Sequence, residues 1–95
     1  MQTKETIKEM LKDYRTLNTK CKVLAATGKT TPETELFALV VKCISGLDDE
    51  SRDIIEKVYM TGMSIREYGK RNYMSRMTVC RRIETAAETI AECLK

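Results

Sequence analysis

The chain has 95 residues, 42% of them hydrophobic and 33% charged, with a net charge of +3. That balance excludes a disordered chain, and no apolar run approaches the length that spans a bilayer. One Pro, four Gly and an abundance of Leu, Ile, Met, Ala, Lys and Glu predict an all-α fold, with a core so small that a partner subunit would add much to its stability.

Residues 3–27 are expected to form one long helix. Ile7, Met10, Tyr14, Leu17, Cys21 and Leu24 recur at alternating spacings of three and four, as in a heptad seam flanked by Lys, Glu and Asp. Two readings stay open: an amphipathic helix on its own core, or a dimerisation helix making a homodimer through Ile7, Met10, Tyr14, Leu17 and Leu24. Gly28 suits a helix stop. Thr30 or Thr31 caps a second helix, with Pro32 in its first turn and Glu33 and Glu35 at its positive end. From Leu36 to Ile44 this helix is apolar almost all round, so it belongs either in the monomer core or between two chains.

Gly46 ends it, and Asp48 or Asp49 caps a third helix to about Met60 with Ile54, Ile55, Val58 and Tyr59 inward. After Gly62, Ser64 and Glu67 read as a capping box for a fourth helix over about 65–72. Ser75 caps the fifth, whose inward stripe is Val79, Ile83, Ala86 or Ala87, Ile90 and Leu94. The expected architecture is a five-helix chain: an N-terminal segment, 1–45, for core or dimer formation and a C-terminal segment, 46–95, within one domain.

Charge is placed unevenly. Residues 1–60 hold ten basic and ten acidic side chains, whereas residues 64–82 hold six Lys/Arg and one acid, Glu67. Glu84, Glu88 and Glu92 follow on one helical face, at a spacing where like charges repel; they are a solvated stripe or a dock for a basic surface. The four cysteines lie far apart and there is no His, so neither a zinc site nor a disulfide framework is expected; reduced thiols suit a cytoplasmic protein. Without a nucleotide-binding Gly loop, a metal-ligand cluster or a placed nucleophile–base pair, no enzyme and no cofactor are expected.

The stretch 64–82 has the layout of a helix-turn-helix reader: capped helix, tight turn, capped helix, with positive charge concentrated on it. A helix entering the major groove presents its first turns to base edges, here Arg76, Met77, Thr78, Cys80 and Arg81. Arg pairs bidentately with guanine, and Met77 and Thr78 suit a thymine methyl. Arg66, Lys70, Arg71, Tyr73, Ser75 and Arg82 suit phosphate contacts that fix register; Ser75 chiefly caps its own helix, leaving neighbouring amides for an anion.

These residues carry a resemblance. Gly46-Leu47-Asp48, Arg52-Asp53-Ile54-Ile55, Val58-Tyr59, Gly62 through Tyr68, Ser75-Arg76, Thr78-Val79 and Arg81-Arg82 resemble sigma-70 region 4 and the small phage and prophage regulators built on it, such as the ArpU/RinA type. The resemblance covers about half the chain, residues 46–94, and implies a DNA-binding helix-turn-helix with a second contact to RNA polymerase. Where the family commonly has Ala, Leu and Gly, this chain has Gly69, Asn72 and Tyr73; Gly69 is expected to allow the same close approach as Ala, and Asn72 to tolerate a left-handed turn. The first 45 residues do not match a sigma factor's polymerase-binding regions, and the length is expected to exclude a full sigma factor. The function expected is a sequence-specific transcription regulator of bacterial or phage origin, acting on double-stranded DNA as a homodimer. Its alternatives are a small-terminase-like packaging component, which would assemble into rings, and a polymerase-binding adaptor with minor DNA contact.

Overall fold

The computed structural model describes residues 3–94. It is all-α, with six helices instead of the five expected: α1 Lys4–Lys12, α2 Tyr14–Ala26, α3 Pro32–Ser45, α4 Asp49–Ile55, α5 Ile65–Arg71 and α6 Arg76–Cys93. A π-helical turn, Glu56–Met60, widens the end of α4. Five helices start on a side-chain cap three residues upstream: Thr3 accepts from the Thr6 N–H, Thr31 from Thr34, Asp48 from Ser51, Ser64 from Glu67 and Ser75 from Thr78. The full capping box is at Thr31–Thr34. At Ser64 only half of the expected box forms, because the Glu67 carboxylate instead accepts from Arg71 Nη2 at 2.9 Å.

The extra helix comes from a break at Asp13 (φ −94°, ψ 17°), where one continuous helix was expected. The break lets the two halves of the apolar seam serve different surfaces. Ile7, Met10 and Leu11 on α1 are buried, and α1 packs along α6; Leu17 on α2 is buried, and α2 packs on α3 and the π-helical turn. Tyr14 meets Phe37 edge-on with ring centroids 5.2 Å apart, the Cys21 thiol donates to the Thr34 carbonyl at 3.9 Å, and Leu24 is half-buried. A straight helix could not reach both surfaces. The seam read as a dimerisation face is thus the inner face of the chain itself, and Ile7, Met10 and Leu17 are covered by their own core.

The core is a single cluster that joins both halves of the chain. Ile7, Leu17, Phe37, Val40 and Ile44 pack with Ile54, Ile55, Val79, Ile83 and Ile90. The inward stripe of α6 is as expected, Val79, Ile83, Ala86, Ala87 and Ile90, with Leu94 half-buried. Val58 and Tyr59, expected inside, are half-buried where α4 widens. The α3 helix buries Thr34, Phe37, Val40 and Ile44 but leaves Leu39 exposed, so it is a wall of the core and not its axis.

The α1 helix runs antiparallel to α6, and ion pairs fix the register. Lys8 Nζ lies 2.7 Å from Glu84; Lys4 Nζ lies 3.6 Å from Glu84 and 3.4 Å from Glu88. Much of the acidic stripe of α6 therefore docks against basic residues of its own chain. The same contacts push the Lys4 and Lys8 ammoniums up, chiefly through hydrogen bonds to Glu88 and Glu84 respectively.

Candidate nucleic-acid interface

Beyond the shared apolar core, two polar contacts link the helix-turn-helix to α4. The Tyr68 hydroxyl donates to Asp53 Oδ2 at 2.7 Å, tying α5 down. Arg82 Nη1 donates to Glu50 Oε2 at 2.5 Å, tying α6 down. Asp53 also accepts from Lys57 at 2.9 Å; Lys57 first and then Tyr68 hold its carboxyl below the usual 3.8. Burial, with the bond to Asp53 second, pushes the Tyr68 phenol from 10.0 up to about 12.

The sign of the pH dependence follows. A raised phenol stabilises the fold fully below pH 10.0, and that contribution is lost as pH climbs toward about 12. The lowered carboxylate contributes above 3.8 and loses its contribution as pH falls below that. Between these limits the pair is at full strength. Melting temperature followed against pH should therefore fall more steeply above pH 10 in the wild type than in Tyr68→Phe. Parallel alkaline limbs would show that this phenol does not couple to folding.

Between α5 and α6 the chain turns on a left-handed residue. Tyr73 has φ 56°, and the Met74 N–H reaches back to the Gly69 carbonyl at 2.8 Å, the long bond of a Schellman-type helix stop. The left-handed position belongs to Tyr73, where the family commonly has Gly; Asn72, which would tolerate such a conformation, keeps φ −109° and donates its side-chain amide to the Tyr68 carbonyl at 2.9 Å. Gly69 permits the close approach expected of it, and a closer one than Ala would allow. A Cβ there would lie 2.7 Å from the Met74 carbonyl oxygen and 3.4 Å from Val79 Cγ2. The turn folds directly over Gly69, and only hydrogen fits.

The cap on Ser75 then starts α6 with one open face. Arg76, Met77, Arg81 and Thr85 are exposed, Met77 at 65%, and Met77, Arg81 and Thr85 align four residues apart. Thr78 is half-buried, its hydroxyl 2.9 Å from that of Ser75. Thr85 extends the open face beyond the first two turns of α6 that the sequence points to, and its spacing of four from Arg81 is the signal for it. Cys80, expected to face base edges, instead sits half-buried on a flank of α6, in a cleft with Lys8, Lys12, Tyr59 and Ile65. Placing α1 there takes Cys80 from the open face.

The expected phosphate contacts divide. Arg66 and Lys70 are exposed and line a shallow hollow of about 300 Å³ with Ser64, Glu67 and Arg71. Arg71 pairs with Glu67 but stays 66% exposed, so the pair holds it weakly. Tyr73 is 98% exposed beside the start of α6. Arg82 is the departure. It is half-buried, and its guanidinium is committed to Glu50, so the turn of α6 that carries it faces α4. Among the described residues, Arg66, Lys70, Arg76 and Arg81 make no ion pair with the protein.

The family model for sigma-70, region 4, matches residues 43–92. No curated protein and no solved structure matches the chain. The matched segment takes in the end of α3, all of α4 and α5, and α6 up to its last residue, and leaves α1 and α2 outside it.

Proposed function

The chain belongs to the sigma-70 region 4 family, whose members are DNA-binding helix-turn-helix domains, and on that premise we propose that it is a sequence-specific transcription regulator of bacterial or phage origin, working in the cytoplasm. The observation that carries this reading is the open face of α6, where Met77, Arg81 and Thr85 stand clear of the core beside Arg76. Around it, Arg66 and Lys70 offer charge that no internal acid neutralises.

The mechanism is binding without covalent chemistry. With α6 in the major groove, Arg76 and Arg81 pair with guanine edges, while Met77 and Thr78 pack on thymine methyls. Arg66, Lys70 and Tyr73, on the helix and turn that cross the backbone, hold phosphate and set the register. Arg82 acts indirectly, by holding α6 against α4 through Glu50. The family implies a second partner, RNA polymerase, beside an upstream promoter element.

Selection of bound duplexes from a random pool tests the reading and reports its symmetry. One asymmetric motif means a single reader; a palindrome means a pair formed through a surface other than the α1–α2 seam. Arg81→Ala is expected to weaken binding to the selected site by roughly 1–3 kcal/mol and to relax preference at one or two base pairs. Equal losses on selected and random duplexes would reduce Arg81 to a phosphate contact. A purified chain that ignores duplex DNA at low salt overturns the proposal.

A further inference from the structure

The antiparallel ladder between α1 and α6 has a third rung. Lys4 faces Glu88, and Lys8, four residues on, faces Glu84, four residues back. The next step in the same register sets Lys12 against Cys80, and these two line one cleft with Tyr59 and Ile65. The first two lysines are neutralised by α6. The third shares its cleft with a thiol where the register would call for a carboxylate, beside the turn of α6 that presents Arg81.

Lys12 also lines a second hollow, with Arg15, Tyr59 and Gly62. The Arg15 guanidinium there donates to the Thr61 carbonyl at 2.8 Å, a neutral acceptor that leaves its charge uncompensated. The acids near this corner are Glu84, which lines the first cleft but is held by Lys8 at 2.7 Å, Asp13, in the second hollow, and Glu9, whose carboxylate is 3.7 Å from Lys12 Nζ. That pair joins side chains 61% and 73% exposed, so water screens it and a phosphate can displace it.

We infer that Lys12, supported by Arg15, is a phosphate-binding site that extends the DNA interface beyond the helix-turn-helix onto the flank of α6. The inference rests on the DNA-binding reading above. It assigns a nucleic-acid contact to a part of the chain that the region-4 match does not include. The α1–α2 corner borders the same cleft as Ile65, the first residue of the helix proposed to cross the backbone, so a duplex lying along that helix passes close to Lys12. Arg15 is also a structural clip on the Thr61–Gly62 turn, which leaves Lys12 as the residue to test.

The test compares the wild type, Lys12→Gln, Lys12→Arg and Lys29→Gln, all in the full chain, on the selected duplex and a random duplex across a salt series. Each neutralised phosphate contributes about 0.9 to the slope of log affinity against log salt. Lys12→Gln is expected to lower the slope by about that amount, roughly a three- to fourfold smaller affinity loss over a fourfold rise in salt. It should weaken both duplexes by the same factor and leave the melting temperature unchanged. Lys12→Arg should keep the slope, and so should Lys29→Gln at the α2–α3 end of the molecule. A wild-type slope in Lys12→Gln overturns this inference while the DNA-binding reading stands. Absence of wild-type binding to either duplex overturns both.

Discussion

Replacing Leu17 with Asp is expected to unfold the chain, not to split a dimer. Leu17 is 6% exposed within the single core cluster. Removing a buried Leu side chain costs about 2–5 kcal/mol, and placing an unpaired carboxylate in its site adds desolvation. The total, about 4 kcal/mol or more, approaches the whole stability of a domain this small, about 5–15 kcal/mol. Circular dichroism should show lost helix or a much lower melting midpoint at any protein concentration. A seam shared between two copies behaves differently: the variant would remain folded, its mass would halve, and the wild-type midpoint would rise with concentration. That second pattern would remove the packing of α2 against α3 and the π-helical turn within one chain. Leu24→Asp, at a half-buried position, should lower the midpoint less.

The features legible in the sequence are those decided within a few residues. The caps at Thr31, Asp48, Ser64 and Ser75 and the inward stripe of α6 depend on spacings of three and four along one helix. The break at Asp13 was hidden because the heptad-like spacing runs straight through it. Nothing local says that Ile7 must meet α6 while Leu17 meets α3. The ladder was hidden for a related reason. Lys4 and Lys8 are four apart, as are Glu84 and Glu88, but their pairing joins residues 76 and 84 positions apart in sequence. Within the site, the exposed arginines were visible as a cluster. Which of them face outward depended on the flanking helices: α1 takes Cys80 from the open face and α4 takes Arg82. That Gly69 excludes even Ala was hidden because the clash involves the Met74 carbonyl, whose position follows from the left-handed residue at 73.

The turn itself should separate stability from recognition. Tyr73→Gly is expected to stabilise the fold by about 1 kcal/mol, since a left-handed conformation that Gly adopts freely costs other residues about 1–2 kcal/mol; the greater freedom of Gly in the unfolded chain offsets part of the gain. The ring is 98% exposed, so its removal sacrifices almost no packing within the protein. With Tyr73 on phosphate, as proposed, DNA binding should weaken as the melting temperature rises. Gly69→Ala should act oppositely. Its Cβ would lie 2.7 Å from a backbone oxygen, which cannot rotate away as a side chain can. The turn must open, at about 1–3 kcal/mol by analogy with overpacked cores. The double variant restores the Ala and Gly that commonly occupy these positions in the family. Because both residues shape the same six-residue turn, their effects should not add: Gly at 73 lets the backbone relax away from the new methyl, and the double variant should be more stable than the two single changes sum to. Strict additivity in thermal or urea melts would show that residues 69 and 73 act on the turn independently.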